Sequence, residues 1–118
     1  MAFNEAEKRK HPRADARFIV SYRIIGADDK CDITQTKNLS LGGMLLTTNR
    51  QFTIGTNLAL EIKLPFDPNS IKLIGKVVES REIVKKLIYD TRIMFLAIEE
   101  KHRNIIGETV KHYIGKGK

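Results

Sequence analysis

The stretch ARFIVSYRI, residues 16–24, alternates between apolar and polar side chains. One side of it carries Ala16, Phe18, Val20, Tyr22 and Ile24, and the other side carries Arg17, Ser21 and Arg23. Successive side chains of an extended chain point to opposite faces, so this period of two predicts a strand with one buried face. The domain is therefore expected to be built on a β-sheet that has one face in a core.

The same period recurs along most of the chain. Further strands are predicted over Cys31–Asn38, Met44–Thr47, Leu58–Leu64, Ile71–Glu79 and Leu87–Ile98, with turn residues between them. Near the end of the last strand, Ile93–Leu96 is apolar at every position, which predicts that this part is covered on both faces.

Only the segment that begins at Glu99 shows helical spacing. Its apolar residues Ile106, Val110 and Tyr113 or Ile114 lie three or four positions apart, as on one face of a helix. Six short strands followed by one amphipathic helix predict an all-β fold with one helix. We expect a six-stranded antiparallel β-barrel with a C-terminal α-helix packed against one opening or edge.

Length, composition and charge describe one small domain. The chain has 118 residues, 42% of them hydrophobic and 30% charged, which suits a single globular core. Residues 1–12 show no apolar period, so we predict a flexible N-terminal arm over residues 1–13 and the barrel with its helix over residues 14–118. The net charge of +7 is concentrated at the two ends of the chain. Cationic ends suit a partner of negative charge, or merely aid solubility.

Some protein classes are not supported by the sequence. The longest unbroken apolar run, Ile93–Ile98, has six residues, whereas a transmembrane helix needs roughly 20, so no membrane insertion is predicted. No apolar stretch follows the charged residues Glu5–Lys10, which argues against a signal peptide and predicts a cytoplasmic protein. The single cysteine, Cys31, cannot form an internal disulfide and is predicted to be a buried or half-buried thiol.

Two arginines precede the first strand, in Arg9-Lys10-His11-Pro12-Arg13. Pro12 prevents a regular helix, because proline has no N–H donor and pushes the preceding residue toward extended geometry. An extended arm can bring both guanidinium groups over one ligand. Guanidinium pairs in a fork with phosphate oxygens, matches the O6 and N7 acceptors of guanine, and stacks on purine faces. A ligand with two phosphates and two guanines would use all of these properties.

A second polar element is the hexapeptide NLSLGG, residues 38–43, between the second and third predicted strands. Alternation places Asn38 and Ser40 on one side and the two leucines toward the barrel interior. The Asn38 amide can donate and accept toward a base edge, and the Ser40 hydroxyl can bond a base or a phosphate. Gly42 and Gly43 allow positive φ and a close approach of the backbone.

An Arg-x-x-x-Arg motif ahead of the first strand, followed about 25 residues later by Asn/Asp-x-Ser-x-x-Gly, resembles the paired signature of PilZ domains. Arg9 and Arg13 match the first motif, and Asn38, Ser40 and Gly43 match the second. The resemblance also includes the order of six strands and a helix and covers about residues 8–114. Either motif alone is weak, because such short patterns arise by chance, but the two together in order are specific.

The resemblance implies a bacterial receptor for the second messenger cyclic di-GMP, with no cofactor and no catalytic activity of its own. The implied ligand-binding residues are Arg9, Arg13, Asn38, Ser40 and Gly43, with Lys8 and Gly42 as further candidates. The two arginines would grip guanine and phosphate groups, the asparagine and serine would hold a guanine or the ribose-phosphate rim, and Gly43 would permit the turn. Lys8 bears on ligand stoichiometry, because lysine lacks the planar stacking surface of arginine.

Signal transfer requires a partner, because no second domain is predicted in this chain. We hypothesise that cyclic di-GMP orders residues 1–13 against the barrel and that an effector protein recognises the covered surface. An adapter with the same fold that does not depend on the messenger is the main alternative. A small barrel that binds nucleic acid is a less favoured alternative, since nucleic-acid-binding surfaces of small barrels use exposed aromatic residues. No nucleic acid is expected here, because alternation assigns the aromatic residues mainly to the core, namely Phe18, Tyr22, Phe95 and Tyr113.

Catalytic and metal sites are not predicted. Ser40 would need a neighbouring base to act as a nucleophile, but His11 lies in the arm, and His102 and His112 belong to the predicted helix. These two helix histidines are ten residues apart and do not share a helix face at the spacing that metal ligands use.

Overall fold

The computed structural model describes residues 13–27, 30–65 and 67–116. Its elements are β1 (Ile19–Ile24), β2 (Asp32–Leu39), β3 (Gly43–Thr48), β4 (Asn57–Ile62), β5 (Ile71–Val84), β6 (Ile88–Ala97) and α1 (Glu100–Lys116). The strands pair in the order β1-β2-β3-β6-β5-β4 and close into a barrel, and every pairing is antiparallel. The predicted fold class, a six-stranded antiparallel β-barrel with a C-terminal helix, is confirmed.

Strands β1 and β4 close the barrel with their alternating faces in register. Tyr22 of β1 lies opposite Leu60 of β4, and Val20 lies opposite Ile62. All four side chains are buried in the core, so the apolar side of residues 16–24 faces inward as the alternation predicts. Closure pairs both edges of the sheet, which otherwise would expose unpaired backbone groups.

The helix α1 adds the predicted apolar face to the core. Ile106 and Val110 are buried in the same cluster as the inward strand residues. Tyr113 packs edge to face against Phe18, with ring centroids 5.3 Å apart, a geometry that aromatic rings prefer. The helix therefore contacts the segment just ahead of β1 as well as the barrel.

Three details differ from the sequence-based expectations. The end of β6 is not covered on both faces, because Met94 and Leu96 are 42% and 47% exposed, and in the described part of the chain α1 packs on the core side only. The prediction of a buried or half-buried Cys31 is also wrong: it is exposed, since it precedes β2 in a loop outside the barrel. Strand β5 continues to Val84 and does not end at Glu79, because it pairs with β6 as far as Val84, which lies opposite Ile88.

Candidate functional site

The segment before β1 is bonded to the end of β2, and this decides where Arg13 lies. The Ala14 N–H donates to the Leu39 carbonyl at 2.8 Å, and the Leu39 N–H donates back to the Ala14 carbonyl at 3.0 Å. Such a reciprocal pair places two residues directly opposite each other. Arg13 is consequently held beside the residues where the hexapeptide NLSLGG turns.

Thr36 of β2 holds the segment before β1 in place through two further hydrogen bonds. Its hydroxyl accepts a hydrogen bond from the Phe18 N–H at 3.0 Å and donates one to the Ala16 carbonyl at 2.6 Å. The Thr36 side chain is 0% exposed. One buried hydroxyl therefore satisfies two backbone groups that would otherwise lose their partners away from water.

We expect Thr36→Val to lower the free energy of unfolding by about 1–3 kcal/mol. Valine keeps the shape of threonine but leaves the Phe18 N–H and the Ala16 carbonyl buried without partners, which costs this order of magnitude. Chemical denaturation of both proteins measures the difference. The exposed Thr53 offers a matched control, since Thr53→Val should change stability by less than about 0.5 kcal/mol. Equal effects of the two substitutions would contradict the assigned role.

The turn after β2 is folded by the Ser40 side chain. The Ser40 hydroxyl accepts from the N–H groups of Gly42 and Gly43 at 3.2 and 3.3 Å and contacts the Gly43 carbonyl at 3.3 Å. The Ser40 N–H also donates to the Gly43 carbonyl at 2.9 Å. Serine hydroxyls commonly stabilise turns by such local bonds. Ser40 thus has a structural task that the sequence motif alone did not reveal.

Gly43 is needed for close approach to the neighbouring strand and not for an unusual backbone conformation. A Cβ atom at Gly43 would overlap the main-chain carbonyl oxygen of Ile93 on β6. Among the described glycines, positive φ is found at Gly26 and Gly55 but not at Gly43, so Gly43 does not use the left-handed conformations that glycine allows. The expected close approach of the backbone is observed, because β3 and β6 pair at this point.

Four residues form a row across the outer face of the sheet. Asn38 of β2 lies opposite Leu45 of β3, Leu45 opposite Arg92 of β6, and Arg92 opposite Glu79 of β5. Neighbouring strands are roughly 4.8 Å apart, so the backbones of Asn38 and Arg92 are separated by about 10 Å. Both residues are half-buried. The side chains of this row therefore lie on the outer surface of the barrel, beside Arg13 and the turn.

A cavity of about 150 Å³ lies where the row meets the turn. Its walls are formed by Arg13, Asn38, Ser40, Gly42, Gly43, Met44, Val78, Arg92, Ile93 and Met94. Five of the seven predicted candidates are thus in one place, while Lys8 and Arg9 lie outside the described residues. Pockets that enclose a drug-sized molecule measure about 300–1,000 Å³, so this cavity has room for one base or one phosphate group and not for a whole dinucleotide.

Sequence reasoning did not assign the other five residues of this cavity to a site: Met44, Val78, Arg92, Ile93 and Met94. Three of them, Val78, Arg92 and Met94, matter most for its chemistry. They lie on the outer faces of β5 and β6, and their pairing with the second motif depends on β6 lying next to β3. Of these residues, only Arg92 had a feature in the sequence that could have indicated a site: it is a charged residue immediately before the apolar run that begins at Ile93. Arg92 adds a second cation to the cavity beside Arg13, and its Nε lies 3.6 Å from a carboxylate oxygen of Glu79.

Within residues 13–27, 30–65 and 67–116, no three His, Cys, Asp or Glu side chains are grouped so as to hold a metal ion. No helix in this described part is long and apolar enough to cross a membrane.

Comparison with protein-family models matches residues 7–112 to the PilZ domain. The match contains both motifs, all six strands and most of the helix. The chain belongs to the PilZ domain family. The resemblance inferred from the two motifs is thereby confirmed. The cavity described above contains Arg13 and residues of the NLSLGG hexapeptide, together with residues of β3, β5 and β6. A search of curated proteins finds no match.

Solved structures share the fold of this PilZ domain at low sequence identity. The Bacillus subtilis inhibitor of motility (MotI/DgrA) is 19% identical with a TM-score of 0.73, over 93% of this chain and 51% of that protein. The PilZ domain of YcgR from Escherichia coli with c-di-GMP is 13% identical with a TM-score of 0.69, over 93% of this chain and 94% of that one. The K. pneumonia MrkH-c-di-GMP complex is 16% identical with a TM-score of 0.71, over 93% of this chain and 54% of that one. This chain thus spans about half the length of MotI and MrkH.

Proposed function

We propose that this PilZ domain is a receptor for cyclic di-GMP and has no catalytic step of its own. The observation that carries the proposal is the convergence of Arg13, Asn38, Ser40 and Gly42 on one cavity beside Gly43. Two structures with the same fold, the YcgR PilZ domain and MrkH, were solved with c-di-GMP. Their binding of this messenger supports the choice of ligand for the cavity described here.

The chemistry of the cavity suits part of a guanine dinucleotide. The Asn38 amide makes no hydrogen bond to another residue in the described part of the chain and can both donate and accept toward a base edge. Arg13 supplies a planar cation that pairs in a fork with guanine or phosphate acceptors. Ser40 can exchange its 3.3 Å contact with the Gly43 carbonyl for a contact to the ligand.

The remaining part of the ligand would lie outside the 150 Å³ cavity, and residues 1–12 would cover it. These residues carry Arg9 and Lys8, which we propose as further ligand contacts. An arginine contact to guanine contributes roughly 1–3 kcal/mol, and ordering a flexible segment costs about 2–5 kcal/mol. The favourable contacts of the arm would therefore be nearly cancelled by the cost of ordering it. Micromolar affinity, about 8 kcal/mol, also requires the preformed turn at residues 38–43.

Calorimetric titration of the purified chain tests the ligand. Cyclic di-GMP should bind with micromolar affinity, whereas GTP and a cyclic adenine dinucleotide should bind much more weakly. GTP lacks the second guanine, and adenine presents a donor at the position where guanine presents the O6 acceptor. Absence of cyclic di-GMP binding by the folded chain would refute the proposed function.

We further propose that the messenger acts by ordering residues 1–13, and that an effector protein recognises the covered surface. Hydrogen exchange should therefore slow in residues 1–13 when cyclic di-GMP is added, because ordering protects backbone amides. Exchange in α1, at Glu100–Lys116, should stay unchanged and serves as the internal control. Unchanged exchange in the arm at saturating ligand would exclude this mode of signalling.

The effector is tested separately from the ligand. A pull-down from lysate should retain the partner only when cyclic di-GMP is present, because the recognised surface includes the covered arm. Equal capture with and without the messenger would favour the adapter function, in which the fold binds its partner constitutively.

A further inference from the structure

Arg92 lies in the cavity but belongs to neither sequence motif. It faces the same space as Arg13, Asn38 and Ser40, and it reaches that space from β6 across Leu45 of β3. Its side chain is 34% exposed, so the guanidinium group is partly shielded by the sheet yet open to a ligand.

The only acid in register with Arg92 is Glu79 of β5, among the strand residues that the structure describes. Their closest atoms, Arg92 Nε and Glu79 Oε1, are 3.6 Å apart, which exceeds the usual length of a charge-assisted hydrogen bond. Glu79 is 54% exposed, so water competes for both groups. A loose, exposed ion pair of this kind contributes little to stability, so a ligand can displace Glu79 from the arginine fork at a small cost in free energy.

Two apolar side chains flank Arg92 in the cavity. Val78 comes just before Glu79 on β5, and Met94 is two residues after Arg92 on the same face of β6. An apolar surface suits the flat face of a base, and the fork of an arginine suits the O6 and N7 atoms at the edge of a guanine. Both features are present within one cavity wall, opposite Asn38.

We propose that Arg92 is an additional specificity-determining residue that reads the edge of a guanine, and that Glu79 weakens binding by competing for the same guanidinium group. The proposal rests on the proposed function, since it assumes that a guanine enters this cavity. Guanine offers two acceptors to the fork of Arg92, whereas adenine places an amino donor at one of these positions.

The test compares single and double variants by calorimetric titration of the full chain at fixed ionic strength. Arg92→Met should weaken cyclic di-GMP binding about tenfold and cyclic di-AMP binding much less, so discrimination between the two ligands falls. Glu79→Gln should tighten cyclic di-GMP binding about threefold. In the double variant, Glu79→Gln should have almost no effect, because the group for which it competes is gone.

Matched controls use the same chemical changes outside the cavity. Arg81 and Glu61 are exposed residues of β5 and β4, so Arg81→Met and Glu61→Gln should leave affinity within about twofold of wild type. Arg92→Lys keeps the charge but loses the planar fork, and it should recover only part of the lost affinity. Equal thermal unfolding of all variants would show that the fold is intact.

Failure of this proposal and failure of the proposed function give different results. Wild-type affinity in Arg92→Met, together with lost binding in Arg13→Ala, would overturn the role of Arg92 but keep the receptor. Equal loss of affinity for cyclic di-GMP and cyclic di-AMP would overturn base reading, since it would assign Arg92 to a phosphate. No binding by the wild-type chain would overturn the function itself.

Discussion

Arg13→Ala is expected to weaken cyclic di-GMP binding at least tenfold while leaving the fold unchanged. Arg13 lines the cavity, and its backbone is placed by the reciprocal bonds between Ala14 and Leu39, which alanine at position 13 does not disturb. The lost contact is a charged fork to guanine or phosphate, and a tenfold change corresponds to about 1.4 kcal/mol. Calorimetric titration measures the affinity, and thermal unfolding measures the fold.

Arg9→Ala is expected to give a loss of the same order, because we propose that Arg9 contacts the same ligand. The double variant should bind too weakly to detect. Arg17 is a matched control: it is exposed, it is close to Arg13 in the chain, and it does not line the cavity. Arg17→Ala should therefore bind almost as tightly as wild type. Wild-type affinity in both Arg9→Ala and Arg13→Ala would refute the assignment of the first motif.

Gly43→Ala is expected to lower the free energy of unfolding by about 3 kcal/mol or more, at the upper end of overpacking effects. The added methyl group would overlap the Ile93 carbonyl oxygen, which is part of the backbone. No side-chain rotation relieves this contact, so β3 must move away from β6 at the point where Gly43 pairs with Met94. Since the same residues line the cavity, ligand binding should fall together with stability.

Gly107→Ala is the control for this substitution, because the same methyl group is added at a place with room for it. In α1 the new Cβ would lie 3.6 Å from the Leu41 side chain, an ordinary van der Waals distance. Alanine also favours a helix over glycine, so stability should rise by about 0.5–1 kcal/mol. Chemical denaturation measures the stability of both variants. A Gly43→Ala variant as stable as wild type would contradict the packing explanation.

The candidate site was predictable from sequence only in part. Two short motifs identified the candidates Arg13, Asn38, Ser40 and Gly43. The binding properties of arginine, amide and hydroxyl side chains and the small size of glycine can be recognised without knowledge of the fold. The role of Ser40 in folding the turn was not predictable, since a hydroxyl at that position serves a ligand or a backbone equally well. The sequence did not distinguish positive φ from close strand contact at Gly43, because glycine is suited to both.

By itself, the sequence predicted the number and order of the strands, the helix, and the inward face of most elements; in β2, however, Ile33 is 73% exposed and Thr36 is buried. Alternation at residues 16–24 and 58–64 follows from the geometry of an extended chain, and the spacing of Ile106 and Val110 follows from that of a helix. These periods are local properties, so they can be read along the chain. The sequence also indicated the family, through two motifs that each span only a few residues.

Only the tertiary structure decided which strands are neighbours. Placing β6 between β3 and β5 puts Arg92 beside Asn38 in the same row, although 54 positions separate them in the chain. It also exposes Met94 and sets the Ile93 carbonyl against Gly43. Pairing between distant strands depends on closure of the whole barrel and leaves no periodic mark in either strand, because each strand is compatible with several partners of similar pattern.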